Sequence, residues 1–331
     1  MTPYREILKR AWKISWKNKI LWFFGFFASL ISFGAELKIF SRAFSQESGL
    51  KIINNIGLFI KTGIFSKNAL YNLSYLIKTE PWSAILLFLI LIVTLAISLF
   101  FIWLATTSQI SIIDAVKKIN KENKEKINIK DQIKKSKNKF WPVLGMNVLI
   151  WLIINGVTLL ISLLLVVIII QNKSSLLAIY GLLFIIFIPI ILFLSFMIKY
   201  AIAYIVIDGK KTSDALKSGW ELFKKNWLIS IEMSITLFFI NILAMAIISI
   251  VVFLIFLVLA GIAMTTAIFI FSSQAFFWGL ISIAILIAVV LISLGSAIIN
   301  TFQISAWTEL FIKLKEEKTS SKLERIFSEQ K

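Results

Sequence analysis

Few residues in this 331-residue chain could do chemistry, and most of those are polar side chains set into long apolar runs. Asn147 and Asn155 interrupt one run and Lys199 lies near the end of another. Glu232 and Asn241 fall within a third, and Gln109, Asn300 and Gln303 lie at run ends. An ionisable group in hydrocarbon costs on the order of 3 kcal/mol by insertion scales, so it marks a candidate for proton, ion or substrate handling. The same groups can instead hydrogen-bond between helices and hold a bundle together, at roughly 1 kcal/mol each. Glu232, Lys199, Asn147, Gln109, Gln303 and Asn300 are thus a candidate intramembrane polar layer with either a functional or a structural role. Asn147 and Glu232 lie six and five residues past Trp141 and Trp227, which puts them at similar depth. The runs carrying Lys199 and Glu232 are consecutive, so these two are expected to pair.

Other chemistry is sparse. Histidine and cysteine are both absent, which removes the commonest general base, the commonest metal ligand and any thiol chemistry. Gly209-Lys-Lys-Thr-Ser resembles the end of a phosphate loop, but Tyr204 stands where the leading glycine belongs. A turn followed by a helix capped by Thr212 or Ser213 is the simpler expectation. Asp114, Asp208 and Glu309 sit beside lysines and are read as solvated charge. No catalytic residue, cofactor or metal site is assigned, and the chain is expected not to be an enzyme.

The elements that must position these residues are membrane helices. The chain is 59% hydrophobic and only 16% charged, with a mean hydropathy of +0.90. A soluble domain is about half apolar and a quarter charged. No charged residue occurs between Glu80 and Asp114, Lys139 and Lys173, or Glu232 and Glu309. About 20 apolar residues already cross a bilayer. Six spans are expected: 20–35, 82–107, 141–170, 176–207, 227–259 and 275–307. Residues 1–19 form a cytoplasmic interfacial helix, 36–81 an outer loop, 20–313 the transmembrane domain and 314–331 a cytoplasmic tail.

Charge sets the orientation. With the N-terminus inside, 28 of the Lys/Arg residues fall on the cytoplasmic side and 7 outside, as the positive-inside rule requires. The net charge of +18 is therefore read as attraction to anionic headgroups of the inner leaflet, with no nucleic-acid partner. Lysine predominates over arginine, 31 to 4, which suggests a prokaryotic source, and the expected location is the cell membrane. The basic N-terminus and the run after it also have the form of a signal peptide. The length of the basic region, with Trp12 and Trp16 in it, argues for a retained helix.

Glu6-Ile-Leu-Lys-Arg-Ala-Trp-Lys-Ile-Ser-Trp-Lys-Asn18 aligns without gaps to Asp214-Ala-Leu-Lys-Ser-Gly-Trp-Glu-Leu-Phe-Lys-Lys-Asn226. Each precedes a span and each reads as an amphipathic helix. Leu8, Ala11, Trp12 and Ser15 share one face of the first, and Leu216, Gly219, Trp220, Phe223 and Trp227 one face of the second. Asp131 to Trp141 is a degenerate third copy. Thr107-Ser-Gln-Ile-Ser111 and Thr301-Phe-Gln-Ile-Ser305 match in the same way. Three copies of one unit, interfacial helix, span, turn and span, account for these matches. Trp12, Trp16, Trp141, Trp220 and Trp227 are the expected interfacial anchors. The Asp214–Trp227 segment and the six-span layout resemble the membrane domain fused to some bacterial glycerophosphoryl diester phosphodiesterases and also found in free-standing membrane proteins. In the fused enzymes the chemistry belongs to a separate soluble domain, which has no counterpart here, so no catalytic residues carry over. The basic interfacial helices instead point to a non-enzymatic membrane-organising or lipid-interacting protein. A permease for a small solute or lipid is the alternative.

Overall fold

The computed structural model describes residues 3–31, 67–122, 129–171, 176–269 and 274–316. Among these residues every regular element is a helix. In chain order they are α1 (Pro3–Lys17), α2 (Ile20–Ile31), α3 (Lys67–Thr79), α4 (Pro81–Glu122) and α5 (Ile129–Ser136). After a short 3₁₀ turn at Lys137–Lys139 come α6 (Phe140–Gln171) and α7 (Leu176–Ala203). A π-helical turn at Tyr204–Asp208 leads to α8 (Thr212–Lys225), α9 (Trp227–Phe269) and α10 (Gln274–Lys315).

Five helices are long and apolar enough to cross a membrane: Pro81–Asn120, Lys130–Val157, Ile185–Asp208, Trp227–Thr265 and Trp278–Lys315. Helix α2 is apolar but short, at 12 residues, or about 18 Å of rise. Residues 32–35 of the expected first span lie outside the described residues. So do most of the expected outer loop and of the C-terminal tail. The described residues of the uncharged stretch after Glu232 belong to two helices of 43 and 42 residues, the first beginning before the stretch and the second ending beyond it.

The chain divides into two compact units. One comprises residues 1–33, 104–143 and 199–331, the other 34–103 and 144–198. In the second unit, Ile85–Trp103 of α4 is exposed on every side. A continuous aliphatic surface of that kind is unfavourable in water and suits lipid contact. In the first unit the opposite holds at two places. Residues 105–116 of α4 and 301–311 of α10 are buried all round. Helix α10 is the hub there, packing against α1, α2 and α9. At its tightest point Gly25 of α2 sits against Thr301 and Ala297 of α10, and the Thr301 hydroxyl donates to the Leu21 carbonyl at 2.9 Å.

One boundary differs from the sequence reading. The segment after Thr107 is expected to be loop, but α4 continues without a break to Glu122. Ile110, Ile112, Ile113, Ala115 and Val116 are buried. Protein rather than lipid covers this stretch, so lysines can follow it at Lys117 and Lys118 without ending the helix. Lysine is itself a good helix former.

Candidate functional site

The two aligned amphipathic segments occupy matching environments. In α1 the buried positions include Ile7, Ala11 and Ser15, and in α8 they are Ala215, Gly219 and Phe223. These are the same alignment positions, spaced four apart on one helical stripe. Trp12 is 50% exposed and its counterpart Trp220 is 43% exposed. Each helix ends at the matched asparagine. The Asn18 side chain donates to the Ile14 carbonyl at 3.2 Å, and the Asn226 side chain to the Leu222 carbonyl at 3.0 Å. In both cases the same carbonyl also accepts the backbone N–H of that asparagine, so side chain and backbone close the helix end together.

The tryptophans stand apart from this buried stripe. Trp12, Trp16, Trp220 and Trp227 do not lie on the protein-facing stripe; all four are exposed beside it. Trp141, in the 3₁₀-to-α6 junction, is exposed as well. Small residues such as Ala11 and Gly219 let the backbone approach its neighbour, which indole rings would prevent. Trp12 instead meets Phe302 and Trp16 edge-on, with ring centroids 5.8 and 5.4 Å apart, and Trp16 meets Trp22 at 5.2 Å.

The charges converge at the C-terminal end of α10. Glu309 is 1% exposed. Its carboxylate accepts a 2.6 Å hydrogen bond from Asn120 of α4 and lies 3.6 Å from the Arg10 guanidinium of α1. Lys313 pairs with Glu6 at 2.9 Å, and this hydrogen bond and charge hold the Glu6 carboxyl below its ordinary range. Lys315 donates to both carboxylate oxygens of Asp208, at 2.7 and 2.8 Å. These residues, with Lys117, line a cleft of about 600 Å³, a size typical of small-molecule sites. Six of its charged groups pair acid to base: Arg10 with Glu309, Lys313 with Glu6 and Lys315 with Asp208.

The end of the π turn holds this arrangement together. Helix C-terminal carbonyls lack intrahelical partners and carry partial negative charge. Lys139 donates to the Val206 carbonyl at 2.7 Å and Lys117 to the Ile207 carbonyl. Gly209 follows at φ 72°, the left-handed conformation in which glycine commonly closes a helix. Helix α8 then starts at Thr212, with Lys211 as its N-cap and no side-chain cap. Thr212 and Ser213 are therefore inside the first turn and do not cap it, because the helix begins one residue earlier than expected.

Asp114 and Glu309 also correct the reading as solvated charge, for both are buried. Asp114 lies 3.0 Å from Lys118, one turn on, and 3.9 Å from Lys139. The i,i+4 spacing of Asp114 and Lys118 was the available sequence signal for a local pair. Nothing local announces that Glu309 will meet Asn120, 189 positions away.

The residues of the expected polar layer have varied surroundings. Gln109 and Gln303 are buried within the first unit, while Asn300 donates within its own helix to the Ser296 carbonyl at 2.8 Å. Asn155 does likewise to Trp151 at 2.7 Å. Asn147, like Asn155, belongs to the second unit. The Glu232 carboxylate accepts a hydrogen bond from the Tyr4 hydroxyl of α1. The Lys199 ammonium lies over the Trp307 ring, 4.4 Å from the centroid, a cation–π contact. Next to Lys199, the Tyr200 and Ser230 hydroxyls bond at 2.7 Å.

These observations define a class: a helical protein with five helices able to cross a membrane and a charged cleft lined by α1, α4, the π turn and α10. No protein-family model matches the chain, and comparison with curated proteins and with solved structures returns no match.

Proposed function

We propose that this chain is a non-enzymatic integral membrane protein that organises or senses lipid through basic helices lying in the inner interface of the cell membrane. The carrying observation is the pair α1 and α8. Each exposes tryptophan next to lysine while a small-residue stripe docks on the protein. A basic helix of this form gains from apolar burial at the headgroup boundary and from attraction to anionic lipid. The 28-to-7 charge split supports six spans with both termini cytoplasmic, α2 being the shortest, and the matched helices support duplication of one unit.

Spin labels at Trp12→Cys and Lys13→Cys, in bilayers containing phosphatidylglycerol, test this reading. The label at Trp12 should report lipid-dissolved oxygen and the label at Lys13 a water-soluble relaxant. Equal water accessibility at both positions would sink it. A permease for a small solute or lipid is the second reading, favoured by the cleft of about 600 Å³ and the carboxylate of Glu309 at its wall. Tracer uptake by proteoliposomes, lost in Glu309→Leu, would support that reading over the first.

A further inference from the structure

Helix α1 is held to the protein through two kinds of contact on one side. Ile7, Ala11 and Ile14 are buried, the helix packing against α10. Alongside them run three polar contacts: Tyr4 to Glu232 of α9, Glu6 to Lys313 and Arg10 to Glu309 of α10. Tyr4, Glu6 and Arg10 lie within two turns. Two of the three polar residues they meet are the acidic groups Glu232 and Glu309, at the entry to α9 and near the end of α10. Glu6 and Arg10 also form one wall of the charged cleft. The same helix carries Arg5, Lys9, Lys13 and Lys17 in exposed positions.

We propose that α1 is an electrostatically held strap, and that its release opens the cleft and uncovers Glu309. Its apolar contact rests mainly on Ile7 and Ile14, because the other buried side chains of the stripe are the small Ala11 and Ser15, and the ion pairs add to that contact. Arg10 is 43% exposed and Glu6 61% exposed at the side chain, so both of their ion pairs are open to screening by salt. A strap of this kind opens locally, without unfolding the bundle, since local openings draw on the contacts of one element only. It goes beyond the lipid reading: the face that carries it is the one turned to the protein, not the tryptophan face.

The test uses the full chain in nanodiscs and exploits the absence of native cysteine. Ile7→Cys places a thiol on the covered side of α1, and Ile304→Cys places one in the buried part of α10. Breaking the two part-exposed ion pairs should raise the opening population by about tenfold. In the strap's favour, Glu6→Gln/Arg10→Gln and high salt would each speed maleimide labelling of Ile7→Cys by that factor, with Ile304→Cys still protected. Labelling of Ile7→Cys unaffected by either change would show that apolar packing alone holds α1, and would overturn the proposal. Joint labelling of both thiols would overturn it too, since the bundle itself would then be opening.

Discussion

At the scale of single residues, Glu309 carries the most consequential placement. A buried carboxylate needs compensating charge and hydrogen bonds, and this one has Asn120 at 2.6 Å and Arg10 at 3.6 Å. Arg10→Ala removes the charge partner and leaves the carboxylate with the amide. The expected loss is about 1–3 kcal/mol, read as a lower Tm in detergent, with Glu309→Gln in the Arg10→Ala background restoring part of it. Purely additive losses would show that the two side chains do not interact. The sequence placed neither residue in a site. Arg10 reads as one cation among several on a basic helix, and Glu309 as a carboxylate flanked by lysine-rich tail.

At the scale of elements, the α2–α10 contact should be the most sensitive. A Cβ on Gly25 would overlap both the Thr301 hydroxyl and the Ala297 carbonyl, a backbone group that cannot turn aside. A Cβ on Gly295 would overlap only the end of the Ile248 side chain, which can change rotamer. Gly25→Ala should therefore cost about 2–3 kcal/mol and Gly295→Ala under about 1. Comparable Tm losses for the two variants would contradict this account of the contact. Helix starts and the amphipathic repeat were legible from spacing, since Trp227, Leu176 and Ile20 each begin a helix where the apolar run begins. The stripe that docks was not. Hydrophobicity favours Trp12 for the covered face, whereas close approach of backbones favours Ala11 and Gly219.

At the scale of the whole molecule, orientation rests on charge. A cysteine at Ser48, in the expected outer loop, should react with an impermeant maleimide on intact cells. Reaction only after lysis would reverse the proposed topology. Within that loop Lys67–Thr79 forms helix α3, while residues 36–66 lie outside the described residues.

What the sequence determined by itself was whatever depends on transferring each residue out of water. The helical class, the apolar runs and the helix entry points are sums over neighbouring residues, and run length reads them directly. Tertiary structure alone decided which charges are buried and who meets them. Asn120 and Glu309 are 189 positions apart, Tyr4 and Glu232 are 228 apart, and no local pattern encodes either meeting. It also decided that the ends of α4 and α10 are sheathed by protein, whereas Ile85–Trp103 is open on every side. Two runs of equal hydropathy can face lipid or neighbouring helices, because hydropathy measures only the escape from water and not the surroundings that replace it.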